Sequence, residues 1–243
     1  MDIFWSTIAG YNSSTWFLQL IIVIAGIFLT GLLLKKPTPR VKLAMKLYLL
    51  FLYLWIAVVY YYIYCAERSY NGTMALFWGT MAVIWIWDTV TGYTTLERSR
   101  KYDVLAYILL AMPFVYPLLS LVRGLTFPGI TSPVMPCSVV VFTIGLLLLF
   151  ARKVNMFLVL FLCHWSLIGL SKTYFFHIPE DFLLASASVP ALYLFFKEYF
   201  LNNLHKDTEP KAKLINLLLV SVCIALGVLL TVTMFLELTP LEK

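Results

Sequence analysis

Long apolar runs separated by short polar loops form the main pattern along this chain. A helix needs about 20 mainly apolar residues to cross the hydrocarbon core of a bilayer. Eight runs approach that length, so the pattern predicts an all-α fold: a polytopic transmembrane helix bundle that forms a single integral membrane domain over 1–243. The predicted spans are 15–34, 41–64, 73–93, 104–122, 136–150, 154–170, 182–200 and 214–235.

Two of these runs are short, and two contain proline in their interior. The fifth and sixth are separated by little more than 151–153, which predicts a tight helical hairpin. Pro113 and Pro117 fall in the fourth run, and Pro190 falls in the seventh. Proline removes a backbone donor and kinks a helix. Broken helices border many transporter sites, although proline is also ordinary in membrane helices.

The composition agrees with lipid as the solvent. Apolar residues make up 62% of the chain and charged residues 12%, against about 25% charged in soluble domains. A soluble fold of this size could not bury that much apolar surface. Disordered, fibrous and free cytosolic proteins are therefore excluded. No soluble basic module with interleaved aromatics is present, which excludes nucleic acid as a partner.

The basic residues predict the orientation of the bundle. Fourteen of the eighteen lie in or beside the loops that follow the first, third, fifth and seventh spans. The other side keeps Arg68, Arg123, Lys172 and Lys243. Cytoplasmic loops carry the excess of Lys and Arg. We therefore predict a multi-pass protein of the cell inner (plasma) membrane with both termini outside.

Asp88 is an ionisable residue within the third span, about one turn from its cytoplasmic end. Such residues are rare and often functional, because an unpaired charge in hydrocarbon is unfavourable. One interpretation is an ion or proton site. The other is a structural carboxylate that is bonded to Thr91, hydrated at the interface, or paired with a basic loop residue.

His164 lies in the middle of the sixth span. Histidine titrates near neutral pH, so it could relay a proton, or it could be a neutral buried side chain with one hydrogen bond. Cys163 points about 100° away from it on a helix, which is poor geometry for binding one metal. The four cysteines show no metal-binding spacing, and we predict no cofactor and no metal.

Polar residues also gather in two outer loops. The turn between the sixth and seventh spans holds Lys172, His177, Glu180 and Asp181, where the two carboxylates either begin a helix or belong to a site. The other loop, 127–138, is rich in proline and ends at Cys137. Alternatives for Cys137 are packing, a disulfide with Cys65, a reactive thiol and a soft metal ligand.

Several short motifs stand out along the chain. They are Tyr11-Asn12 with Trp16, Pro136-Cys137, Phe142-Thr143-Ile144-Gly145, Trp165-Ser166-Leu167-Ile168-Gly169 and Pro179-Glu180-Asp181. Together these motifs, which run from the N-terminus to about Asp181, resemble a bacterial family of small polytopic membrane proteins whose function is unknown. Ser138 departs from that family's pattern, which has a second proline at this position. The resemblance implies a seven-span core, to which the eighth span is an addition, and it implies no activity.

The motif residues map to the outer half of the predicted bundle. We therefore expect a polar, outward-facing cavity lined by the first, fifth, sixth and seventh spans. Lys172 would balance Glu180 or Asp181, and His164 would form the floor. The candidate binding residues are Tyr11, Asn12, Cys137, His164, Trp165, Lys172, Glu180 and Asp181, with Asp88 as a separate candidate ion or proton site.

Three functions fit such a protein. The first is a transporter or binding protein for a small solute or ion, which we prefer. The second is a non-catalytic subunit or scaffold that binds membrane-protein partners or further copies of itself. The third is an intramembrane enzyme that uses Cys137, His177, Glu180 and Asp181, although no known catalytic motif is present.

Overall fold

The computed structural model of this chain describes residues 2–68, 70–98, 100, 102–176 and 179–204, with side chains except at 2, 170–176, 179 and 200–204. The first seven predicted spans lie largely within helices, and the predicted span 214–235 lies outside the described residues. The elements are α1 (Asp2–Lys35), α2 (Pro39–Trp55), a π-helical segment (Ile56–Tyr64), α3 (Asn71–Thr91), β1 (Thr95–Leu96), α4 (Asp103–Val122), α5 (Pro136–Phe150), β2 (Ala151–Lys153), α6 (Met156–Phe176), a 3-10 turn (Pro179–Asp181), α7 (Phe182–Ser186) and α8 (Ser188–Leu204).

Helix α1 begins much earlier than its apolar run predicts. It is 34 residues long, or about 51 Å at 1.5 Å per residue. Polar residues before position 15 suggest a loop in the sequence, but Tyr11 and Asn12 turn inward and are buried. The hydroxyls of Thr7 and Thr15 donate to carbonyls one turn earlier in the helix. These local bonds let the helix continue through its polar start.

Helix α2 starts where its sequence predicts. Thr38 caps the first turn by accepting a hydrogen bond from the Val41 amide, and Pro39 fills the first position, which needs no donor. The helix then widens into the π-helical segment, which ends with the Cys65 amide donating to the Tyr60 carbonyl. Such segments occur frequently at functional sites. This one turns Tyr60 and Tyr61 into the interior.

Helix α5 is the centre of the bundle. Every residue of this helix except Phe142 is buried, as expected for a helix that is apolar on all faces. Its most extensive neighbour is α4, which approaches closely because Gly145 has no side chain. A Cβ at that position would lie 2.9 Å from Leu109 Cβ and 3.1 Å from the Ala106 carbonyl oxygen.

Two connections differ from the prediction. The link between α5 and α6 is not a bare helical hairpin, because β2 pairs antiparallel with β1. The seventh predicted span is two helices, α7 and α8, with a break at Ala187. Pro190 explains the break, because it lacks the amide that would bond one turn back. The prolines of α4, in contrast, lie within one uninterrupted helix.

Four stretches are long and apolar enough to cross a membrane: Ile3–Lys35, Pro39–Tyr64, Asn71–Thr91 and Asp103–Val122. Two shorter apolar helices, Pro136–Phe150 and Met156–Gly169, accompany them. The chain is thus an α-helical protein whose long apolar helices indicate a membrane protein. The starts of α1 and α5 lie at one end, called here the predicted outer end. The strands β1 and β2 lie at the opposite, predicted inner end.

Candidate functional site: a polar recess at the predicted outer end

A recess opens at the predicted outer end of the bundle, with a cavity volume of about 60 Å³. Its walls come from α1, the π-helical segment and the loop after it, α3, α4, the loop before α5, the first turn of α5, and the 3-10 turn. The lining residues are Phe4, Ile8, Tyr60, Tyr61, Arg68, Tyr70, Met74, Tyr116, Thr131, Met135, Pro136, Cys137, Ser138 and Asp181.

Arg68 is the cation of this recess. The residue is only 8% exposed, and its guanidinium lies 4.9 Å from the centre of the Phe4 ring. One terminal nitrogen donates to the Tyr70 hydroxyl and the other to the Phe4 carbonyl, each at 3.2 Å. Within the described residues, no carboxylate lies within ion-pair distance of Arg68. A buried guanidinium normally has such a partner, so this arrangement is unusual.

Tyrosine side chains form much of the remaining wall. Tyr60 packs edge-on against both Tyr11 and Tyr61, with ring centres 5.1 and 5.0 Å apart. Tyr116 of α4 is also buried, and no described residue accepts its hydroxyl proton. A buried hydroxyl whose proton has no acceptor is unfavourable. The recess therefore contains a hydroxyl that is available to a ligand.

Cys137 and Asp181 line the recess, and both belong to the predicted set. Cys137 follows Pro136 in the first turn of α5, and Asp181 is buried at the end of the 3-10 turn. Cys65 and Cys137 are not joined by a disulfide. The recess thus brings together a thiol and a carboxylate that lie 44 positions apart in the sequence.

Glu180 does not line the recess, but it binds residues next to the recess wall. Its two carboxylate oxygens accept hydrogen bonds from Nη1 of Arg123, at 2.8 and 2.7 Å. Ser120 adds a longer bond of 3.3 Å. The ion partner that the structure gives Glu180 is therefore Arg123, where the sequence suggested Lys172. The side chain of Lys172, like the whole of His177, lies outside the described residues.

Tyr11 and Asn12 brace the loop before α5 instead of lining the recess. The Tyr11 hydroxyl donates to the Val134 carbonyl at 2.7 Å, and the Trp55 indole donates to it in turn. The Asn12 amide donates to the carbonyls of Pro128 and Ile130 at 2.8 and 2.7 Å. These bonds explain why an apolar bundle keeps a Tyr-Asn pair here: they satisfy carbonyls that a non-helical loop leaves without partners.

Trp165 and His164 lie outside the recess lining. Trp165 is fully buried against Trp78, with ring centres 5.1 Å apart, and its ring is 6.3 Å from that of Tyr61 in the recess wall. The imidazole of His164 lies 5.9 Å from the Phe77 ring. The expected floor at His164 is therefore replaced by an aromatic cluster beneath Tyr61.

Asp88 forms a buried ion pair far from the recess. The residue is fully buried, and its Oδ2 lies 2.8 Å from Nζ of Lys46 in α2. Its Oδ1 accepts from the Thr94 amide at 3.0 Å and from the Thr94 hydroxyl at 2.6 Å. The Thr91 hydroxyl donates instead to the Trp87 carbonyl. This geometry agrees with the interpretation of Asp88 as a structural carboxylate that is paired with a basic residue.

A larger hollow of about 430 Å³ lies between α1, α2, α4 and α5. Its walls are mainly apolar and contain no charged side chain. The hydroxyls of Thr30 and Tyr48 donate to backbone carbonyls of α1. Such walls suit hydrocarbon, so the recess remains the candidate site for a polar solute. Among the residues that the structure describes, no group of three His, Cys, Asp or Glu side chains could hold a metal ion.

Sequence reasoning missed the main polar groups of the recess. Arg68 carried a signal, because it is one of few basic residues on the side that the charge pattern leaves poor in them. Tyr60 and Tyr61 suggest an aromatic belt at the interface in the sequence, whereas the structure buries both. Tyr116 has no comparable signal, since it follows an ordinary apolar helix pattern.

Comparison with known proteins places the chain in a family. No curated protein and no solved structure matches it. A family model does match, over most of the chain and all of the described bundle. The chain belongs to DUF6064, a family of unknown function, whose model covers residues 1–206.

Proposed function

We propose that this chain is a multi-pass membrane protein of the inner (plasma) membrane that binds a small polar solute in the recess at its outer end. The observation that carries the proposal is the collection of Arg68, Asp181 and several hydroxyls in one recess of a mainly apolar bundle. Polar and charged groups inside membrane proteins are unfavourable and mark ligand pathways. Because several such groups lie together in the recess, we interpret it as a ligand-binding site.

The size of the recess limits what it can take. A volume of about 60 Å³ is enough for a few water-sized groups. The recess therefore fits a head group of a few heavy atoms. A larger solute would leave the rest of its structure outside the bundle.

Binding is favoured over transport by what lies beneath the recess. The residues of α5 below Ser138 are largely apolar and buried, and the aromatic cluster of Trp78 and Trp165 closes the other side. A polar solute would need these groups to rearrange before it could go deeper. A transporter remains the second candidate, and solute uptake into vesicles would distinguish the two.

Cys137 offers a direct test, because its thiol is part of the recess lining. The purified protein in lipid nanodiscs is treated with a small alkylating reagent, and modification of each cysteine is followed by peptide mass spectrometry. Acetate, glycine, inorganic phosphate and glycerol are added in turn. We expect at least one of them to slow alkylation of Cys137 by about threefold or more. The rate at Cys163, which is buried in α6, should not change.

If no solute changes the rate at Cys137, the binding proposal is contradicted and the scaffold alternative gains support. If the rates at Cys137 and Cys163 fall together, the solute acts on the stability of the whole bundle. That result would also count against a site in the recess.

A further inference from the structure

We infer that the recess selects a small monoanion with a carboxylate head group, held by Arg68 and Tyr116. This inference rests on the proposed function and names the solute class for the same site. Arg68 presents a buried guanidinium without a carboxylate partner among the described residues. Tyr116 presents a buried hydroxyl proton without an acceptor there. A negatively charged hydrogen-bond acceptor would satisfy both the guanidinium and the hydroxyl.

The donor count supports such an acceptor. A guanidinium has five N–H donors in a planar fork, and Arg68 uses two of them, toward the Tyr70 hydroxyl and the Phe4 carbonyl. The remaining donors have no acceptor within the described part of the chain. A carboxylate matches the guanidinium fork with two parallel bonds. Its remaining lone pairs can accept from a hydroxyl such as that of Tyr116.

The first turn of α5 adds a favourable field. Pro136, Cys137 and Ser138 all line the recess, and they begin a helix of 15 residues. The partial positive charge at a helix N-terminus stabilises anions. The N-terminus of α5 and the guanidinium of Arg68 therefore both favour a negatively charged ligand.

Asp181 limits the charge of the ligand. Its side chain lines the same recess, so a dianion such as phosphate would meet more like-charge repulsion there than a monoanion. A single negative charge next to Arg68 avoids most of that repulsion. The recess volume also fits a planar head group of three or four heavy atoms.

The test compares acetate binding to the full-length protein and to two variants, using protection of Cys137 from alkylation. Tyr116→Phe removes only the hydroxyl and leaves the ring in place. Because that hydroxyl donates to none of the described residues, the variant should unfold at the same temperature as the original protein or higher. It should need about fivefold or more acetate for half-protection, as expected for losing a hydrogen bond to a charged group. Arg68→Gln should abolish protection by acetate.

Matched controls use residues outside the recess. Tyr62→Phe changes an exposed tyrosine of the same π-helical segment, and Arg152→Gln changes an exposed arginine at the opposite end. Neither should change the acetate concentration for half-protection. If Arg68→Gln does not fold, Tyr116→Phe decides the question alone.

Other outcomes would overturn the inference. Equal protection by sodium chloride, or protection by phosphate without acetate, would exclude a carboxylate-selective site. Unchanged acetate binding in Tyr116→Phe would remove the proposed hydrogen bond. Protection of Cys137 by glycerol alone would keep the proposed solute-binding function and contradict only the charge of its ligand. No protection by any solute would contradict both.

Discussion

The ion pair between Lys46 and Asp88 shows how a single buried charge is stabilised in this bundle. Asp88 has no exposed surface, and its oxygens are shared between the ammonium of Lys46 and the amide and hydroxyl of Thr94. The Thr94 hydroxyl also accepts from the Asn155 amide at 3.1 Å. The pair thus connects α2 and α3 to the link between α5 and α6. Its role is to hold the predicted inner end together.

Removing one partner should leave an uncompensated buried charge. We expect Lys46→Met to lower the free energy of unfolding by about 3 kcal/mol or more, measured by denaturation in mixed micelles. A second change, Asp88→Asn, should recover part of that loss in the double variant, because it removes the charge and keeps an acceptor for Thr94. Lys36→Met is the control, since Lys36 is exposed. An equal effect of Lys46→Met and Lys36→Met would contradict a buried pair.

The sequence predicted the position of Asp88 in a helix but could not identify its partner. Lys46 is 42 residues away. In the sequence it resembles the other basic residues beside the predicted cytoplasmic loops. Only the packing of α2 on α3 brings the two together. The same limit applies to Glu180, whose partner Arg123 lies on another helix end. Single residues were thus recognisable as unusual, but their pairings depended on the tertiary structure.

At the scale of elements, close helix contact depends on glycine. Gly145 lies in the Phe-Thr-Ile-Gly motif, and a Cβ there would meet Leu109 Cβ at 2.9 Å and the backbone amide of Leu110 at 3.0 Å. A backbone atom cannot move away by changing rotamer. We expect Gly145→Ala to separate α4 from α5 and to lower the free energy of unfolding by about 1–3 kcal/mol.

Gly79 provides the matched control for this prediction. It lies within α3, and a Cβ there would meet nothing within 4 Å. Gly79→Ala should therefore leave stability unchanged or raise it by up to about 1 kcal/mol, because alanine favours helix. Both variants are compared by the same unfolding measurement. A loss at Gly79 as large as that at Gly145 would show that helix contact is not the cause.

The apolar pattern predicted most helices. It gave wrong helix ends where side-chain hydrogen bonds or proline determine the local structure. The start of α1 was missed because its polar side chains bond to their own helix or to a loop, which makes them compatible with a buried helix. The break between α7 and α8 follows from Pro190, whose effect on a span cannot be read from proline alone, since α4 stays continuous through two prolines. The long helices were predictable, whereas several of their ends, the π-helical segment and the short strands were not.

At the scale of the whole molecule, the recess illustrates why a site assembled from many segments escapes sequence analysis. Its walls come from both halves of the described chain, and the motifs that resemble a family mark only Pro136, Cys137 and Asp181 among the lining residues. The other motif residues brace loops or pack helices, as Asn12 and Gly145 do. Motifs therefore marked the end of the bundle that contains the recess more reliably than the residues that line it.

The orientation of the whole bundle is the prediction on which an outward-facing site depends. The described structure gathers the loop before α5 at the end opposite to β2, and the excess of basic residues assigns β2 to the cytoplasm. Cysteines introduced at Thr126 and Lys153, both exposed, should therefore differ in intact spheroplasts. A membrane-impermeant maleimide should modify Thr126→Cys and spare Lys153→Cys until detergent is added, as measured by the mass shift of the labelled protein. Labelling of Lys153→Cys alone before detergent would place the recess in the cytoplasm, where its solute would have to be a cytosolic one.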